Sequence, residues 1–130
     1  MYSAFLNKNY LYVVAGNIHD KQKYGYIILN DLLTQGYKAV GLDINYKNEQ
    51  EGMVVYKDLS ELKIKPDVLV LVIKPEIGNS LLRQAVDLKI DKIWCQVGAF
   101  DEAIKRTAAD YNINLVADGS CLMVLARQVK

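Results

Sequence analysis

Two rhythms alternate along the chain. Short, largely apolar runs are followed by longer stretches with apolar residues three and four positions apart. The runs Tyr10 to Ala15, Lys38 to Asp43, Val68 to Ile73, Lys92 to Gln96 and Leu115 to Ala117 read as strands. Val68 to Ile73 contains no polar residue, as a strand covered on both faces requires. A helix is predicted over Tyr26 to Gln35, with Ile27, Ile28, Leu32 and Leu33 on its buried face. Gly36 stands where a helix-ending glycine belongs. A second helix is predicted over Ile77 to Leu88, with Ile77, Leu81, Leu82, Ala85 and Val86 on one side. A third runs from the N-cap Asp101 to Tyr111, with Ile104, Ala108 and Tyr111 inward. A short strand at Met53 to Val55, a small helix at Asp58 to Leu62 and a last helix after Ser120 complete the pattern.

Strand–helix alternation with short connections implies parallel strands joined by right-handed crossovers. The expected fold is an α/β, three-layer Rossmann-like domain with a doubly wound parallel sheet. A chain of 130 residues suits one such domain, and no linker or repeat divides it.

Composition narrows the function classes. Hydrophobic residues make up 52% and charged residues 24%, which fits a packed core. The formal net charge of +1 argues against a general nucleic-acid binder, which would need a basic stripe. The apolar runs are too short to cross a bilayer. Met1-Tyr2-Ser3-Ala4 shows no secretory signal, so a cytoplasmic protein with free Cys95 and Cys121 is expected.

In such sheets a ligand lies beyond the carboxyl ends of the strands. Those ends here are Gly16-Asn17, Asp43-Ile44-Asn45, Ile73-Lys74-Pro75, Gln96-Val97-Gly98 and Asp118-Gly119-Ser120. All are rich in turn-forming residues, which end most strands whatever their function. The first loop bends at Gly16 and enters a helix near Gly25, where free backbone N–H groups suit a phosphate. It is not a G-x-G-x-x-G loop, because Ile18 and Lys21 stand where glycines would be needed.

The ordered set Val-Val-x-Gly-Asn, Lys23, Gly36-Tyr37, Gly52, Tyr56-Lys57-Asp58-Leu59, Lys74-Pro75-Glu76, Trp94-x-Gln96-x-Gly98 and Asp118-x-x-Cys121 resembles the small stand-alone CoA-binding domain proteins. These are related to the N-terminal domain of the succinyl-CoA synthetase α subunit. The resemblance runs from Tyr10 to Cys121. It implies CoA across the carboxyl edge of the sheet. Gly16, Asn17, Lys23 and Tyr24 would then hold the phosphates, and Asp43, Ile44 and Lys47 would lie by the adenosine. Ile73, Lys74 and Pro75 would wall the nucleotide, with Gln96 and Gly98 near the pantetheine arm. The chain departs from its relatives at Asn17, where many carry Ser, and at Asp43-Ile44, where Asn-Pro is usual. It also has Leu125 where an acid usually follows the cysteine.

The resemblance implies binding of CoA or an acyl-CoA without catalysis. Two alternatives remain. Asp43 could hold a ribose hydroxyl in an NAD(P)-binding redox sensor or regulatory module, or be an exposed turn residue. His19 or Cys121 could serve a small acyl-CoA enzyme. The plainer readings are a surface histidine and a buried structural cysteine. No third group is evident in the sequence to orient His19. Trp94 reads as core, and Leu122 to Ala126 as core or a homodimer contact.

Overall fold

The computed structural model describes residues 2–46 and 52–129. Its elements run β1 (Leu11–Gly16), α1 (Tyr24–Thr34), β2 (Lys38–Leu42), β3 (Val55–Tyr56), β4 (Val68–Val72), α2 (Pro75–Asp87), β5 (Lys92–Cys95), α3 (Glu102–Asp110), β6 (Asn114–Val116) and α4 (Leu122–Ala126). All six strands are parallel, in the order β3-β2-β1-β4-β5-β6. The chain winds outward one way from β1 and the other way from β4. This is the doubly wound α/β sheet that the alternation predicted.

The period-2 geometry of the strands splits the core in two. Tyr12 and Val14 of β1 and Val68 and Val70 of β4 join Ile28, Leu29 and Leu32 of α1 and Leu122 and Ala126 of α4. Val13, Ala15, Leu69 and Leu71 point the other way, onto Leu81, Leu82 and Ala85 of α2 and Ile104 and Ala108 of α3. Three layers result. Trp94 lies in the first half, fully buried, with Phe5 packed edge-on against its ring. Cys95 lies in the second, where burial pushes its thiol up to about 12.

Three helices end the same way. After α1, the N–H groups of Gly36 and Tyr37 return to the carbonyls of Leu33 and Leu32. After α2, Lys89 and Ile90 return to Val86 and Ala85. After α3, Asn112 and Ile113 return to Ala109 and Ala108. Each motif needs a left-handed residue, and Gly36, Lys89 and Asn112 have φ of 88°, 61° and 57°. Only the glycine was legible as a stop signal.

Helix starts differ from the expected ones. α1 begins at Tyr24 and α2 at Pro75, each two residues early. Pro75 is therefore the first residue of a helix, where its fixed φ costs nothing. Ile77 leaves the core face and is 38% exposed, and Tyr111, expected inward, caps α3 and is 49% exposed. Thr107 takes the inner place instead.

The early start of α1 puts Gly25 inside the helix, against the end of β1. A Cβ at Gly25 would stand 2.8 Å from the Asn17 nitrogen and 3.2 Å from the Gly16 backbone. A Cβ at Gly16 would stand 2.8 Å from the Val72 carbonyl oxygen. Helix propensity alone would favour Gly25→Ala by up to about 1 kcal/mol. Overpacking against unyielding backbone opposes it by roughly 1–3 kcal/mol. The expected outcome in urea denaturation is net destabilisation, and a gain in stability would show that the junction has room to spare.

Candidate functional site

Strand order reverses between β1 and β4, so the loops after them leave a crevice at the carboxyl edge. Two adjoining clefts occupy it. One, of about 220 Å³, is formed by Gly16, Asn17 and Asp43 to Asn45, facing Ile73, Lys74 and Ile77. The other, of about 290 Å³, is formed by Asn17, Lys23 and Tyr24, facing Ile73, Lys74 and Gly98. Asn17, Ile73 and Lys74 line both, so the two clefts adjoin as a groove along this edge. A larger hollow, about 460 Å³, lies elsewhere, along β6 and the N-terminal turn.

The chemistry of the groove follows from two helix starts. α1 opens after Lys23 and α2 after Lys74, and neither helix has a side chain capping its first turn. The first N–H groups of a helix have no partner within it, and they carry the positive end of its dipole. Each of these two starts adds an exposed lysine. α3, whose start lies to one side, is capped in the ordinary way, since Asp101 accepts from the Ile104 N–H at 2.9 Å. Apolar side chains complete the groove. Ile44 is 62% exposed, Tyr24 65%, and both stand at its walls.

The structure brings Gly16, Asn17, Asp43, Ile44, Ile73 and Lys74 to the first cleft, and Lys23, Tyr24 and Gly98 to the second. Pro75 follows Lys74 into α2. Lys47 lies outside the described residues. Gln96 is 6% exposed and lines neither cleft. Its Oε1 accepts from the Leu122 N–H at 2.9 Å, and its Nε2 lies 3.5 Å from the Cys121 Sγ. The side chain thus holds the start of α4 rather than facing the groove. Ile77, read in the sequence as a core residue of its helix, and Asn45, named there only as part of a strand end, also line the first cleft. The signal for Ile77 was Pro75, which moves the helix start back and turns Ile77 into the first turn.

Asp43 corrects the reading of an exposed turn residue. Its side chain is 2% exposed. Oδ2 accepts the His19 N–H at 3.0 Å and lies 2.6 Å from His19 Nδ1, while Oδ1 accepts the Asn45 N–H at 2.9 Å. Asp43 is therefore the orienting group for His19 that the sequence did not reveal. Cys121 is half-buried rather than buried, at the start of a five-residue helix. It stands beside Gln96 after β5, whereas His19 is tied to the end of β2. Two strands, β1 and β4, lie between those ends, a gap of roughly 14 Å at ordinary strand spacing. No helix among the described residues is long and apolar enough to cross a membrane.

Comparison with known proteins adds the family. A conserved hypothetical protein from Pyrococcus furiosus is 34% identical, with a TM-score of 0.80 over 89% of this chain and 97% of that one. A hypothetical protein from Pyrococcus horikoshii OT3 shares the fold at 20% identity and a TM-score of 0.80, over 92% of this chain and 84% of that one. The fold also recurs in the dinucleotide forming acetyl-coenzyme A synthetase 1 of Ca. Korarchaeum cryptofilum, at 21% identity and a TM-score of 0.71, over 92% of this chain and 28% of that one. No curated protein matches the chain. A family model described as a CoA binding domain matches residues 11–127, from the first strand through the last helix, and the chain belongs to that family.

Proposed function

We propose that the protein binds CoA or an acyl-CoA along the groove and performs no chemistry on it. The observation that carries this reading is the adjacency of the two clefts, which share Asn17, Ile73 and Lys74. A long ligand with a planar base at one end and a diphosphate in its middle matches their sequence of surfaces. Ile44, Ile73 and Ile77 offer apolar walls for the base. The uncapped start of α1, with Lys23 and Lys74 lining the same cleft, offers donors and charge for phosphates, whereas α2 opens on Pro75, which has no N–H, and on the acid Glu76. Gly98, with φ of 84° and nothing within 4 Å of its would-be Cβ, leaves room for a thin arm to pass.

The NAD(P) reading rested on Asp43 as a ribose acceptor. That carboxylate already accepts from His19 and Asn45, which leaves less for a ribose hydroxyl. The first loop also lacks the glycine spacing of a dinucleotide site, and Ile18 is fully buried in the core. The acyl-CoA enzyme reading needs a nucleophile with a base in reach. The separation of His19 from Cys121 works against that pair.

Ligand class is tested by thermal unfolding. CoA at about 100 times its dissociation constant should stabilise the protein by about 2.7 kcal/mol, and NAD at the same concentration by much less. Stabilisation by NAD but not by CoA would overturn the reading. Catalysis is tested separately, by incubating the protein with acetyl-CoA and following free thiol. The expected rate equals the protein-free blank, and a faster rate abolished by Cys121→Ser would make the protein an enzyme. The phosphate assignment is tested by Lys23→Ala in calorimetry. Loss of a charge-assisted contact should weaken CoA binding by roughly 1.5–3 kcal/mol while the melting temperature of the free protein barely changes. Unchanged affinity would leave Lys23 a solvated side chain.

A further inference from the structure

The geometry points to His19, held by Asp43, as the residue that reads a phosphomonoester on the ligand's ribose. The inference rests on the nucleotide reading above and names a determinant within it. Three observations carry it. The Asp43 carboxylate is buried and lies 2.6 Å from His19 Nδ1, so the ring is fixed in orientation rather than free in its loop. Nε2 has no hydrogen-bond partner among the described residues, on a side chain 41% exposed. The same Asp43 lines the first cleft beside Ile44 and Ile73, where the base and its ribose would lie. His19 itself lines neither cleft, but Asp43 tethers its ring to the wall of the first one, within reach of a ribose bound there.

The chemistry suits a second anion. With Nδ1 held by the carboxylate, Nε2 is the ring nitrogen left for a ligand, and an anion bound there would be met by a charge-assisted N–H donor in the imidazolium form. The Asp43 charge does not repel the ligand openly, because both its oxygens are turned to N–H groups of His19 and Asn45. The neighbouring Asp20 turns its carboxylate onto the Gln22 N–H. A general-base role fits less well. The cleft that Asp43 lines is the apolar-walled one, and Gly98 lines the other, where the remote end of the ligand would lie. Any thioester would sit away from His19.

The ribose phosphate could come from CoA, at the 3′ position, or from NADP, at the 2′ position. Calorimetry with CoA against 3′-dephospho-CoA, and with NADP against NAD, separates the two. The unmodified protein should prefer CoA over dephospho-CoA by about tenfold, the worth of one charge-assisted contact. His19→Gln should bring the ratio near one by weakening CoA alone, and His19→Arg should restore it. Circular dichroism melts of both variants confirm that the fold persists. A ratio near one in the unmodified protein, or a preference that survives His19→Gln, overturns the assignment while leaving CoA binding intact. A preference confined to NADP over NAD, and lost in His19→Gln, keeps the assignment and overturns the CoA reading. Absence of binding by all four ligands overturns both.

Discussion

Close approach of two backbone segments, at Gly16 and Gly25, governs the geometry of the functional edge. The end of β1 must pass beside the Val72 carbonyl of β4 on one side and the first turn of α1 on the other. Neither glycine has room for a Cβ. Without side chains in the way, the start of α1 reaches the carboxyl edge of the central strand. Its unpartnered N–H groups then face the crevice between β1 and β4. A bulkier junction would lift the helix away and separate the donors from the groove. Gly41 and Gly78 let side chains approach closely elsewhere in the fold, but they meet flexible side-chain ends rather than backbone.

The treatment of helix starts shows where the molecule is stable and where it is available. The small turn at Leu59–Glu61 carries a complete capping box from Asp58 and Glu61, and α3 has Asp101. Those starts are self-satisfied. α1 and α2, which border the groove, have lysines at the cap position and no side-chain acceptor for their first N–H groups. A side-chain cap is worth about 1 kcal/mol. Both helices that meet at the switch point do without it and carry a lysine there instead, and α2 adds Glu76 in its first turn.

Around this centre the loops are tied to one another by polar groups turned inward. Asp43 joins the loop after β2 to the loop after β1. Gln96 joins the end of β5 to α4. Tyr2 reaches Asp118 and Ser120 beyond β6, where its hydrogen bond holds the Asp118 carboxyl below its usual range. These contacts span 24 to 118 residues of sequence. They give the carboxyl edge a defined shape although loops form it.

Much of the fold was legible because it rests on local periodicity. The apolar run Val68 to Ile73, the stripe of Leu81, Leu82 and Ala85, the glycine stop at Gly36 and the N-cap at Asp101 each carry their own signal, and together they imply a doubly wound sheet. The carboxyl edge was legible in the same way, since topology places ligands there whatever the loops contain. Tertiary structure alone decided the rest. Asp43 and His19 are both ordinary turn residues by their neighbours, and only the pairing of β2 beside β1 brings them together. Gln96 looked like an edge residue until α4 folded back onto it. Lys89 and Asn112 hold left-handed helix ends that no glycine announced, because the returning strands require the chain to turn there. Periodicity reports which face of an element is buried. It cannot report which loops meet, since that depends on strand order and on contacts between residues far apart in the chain.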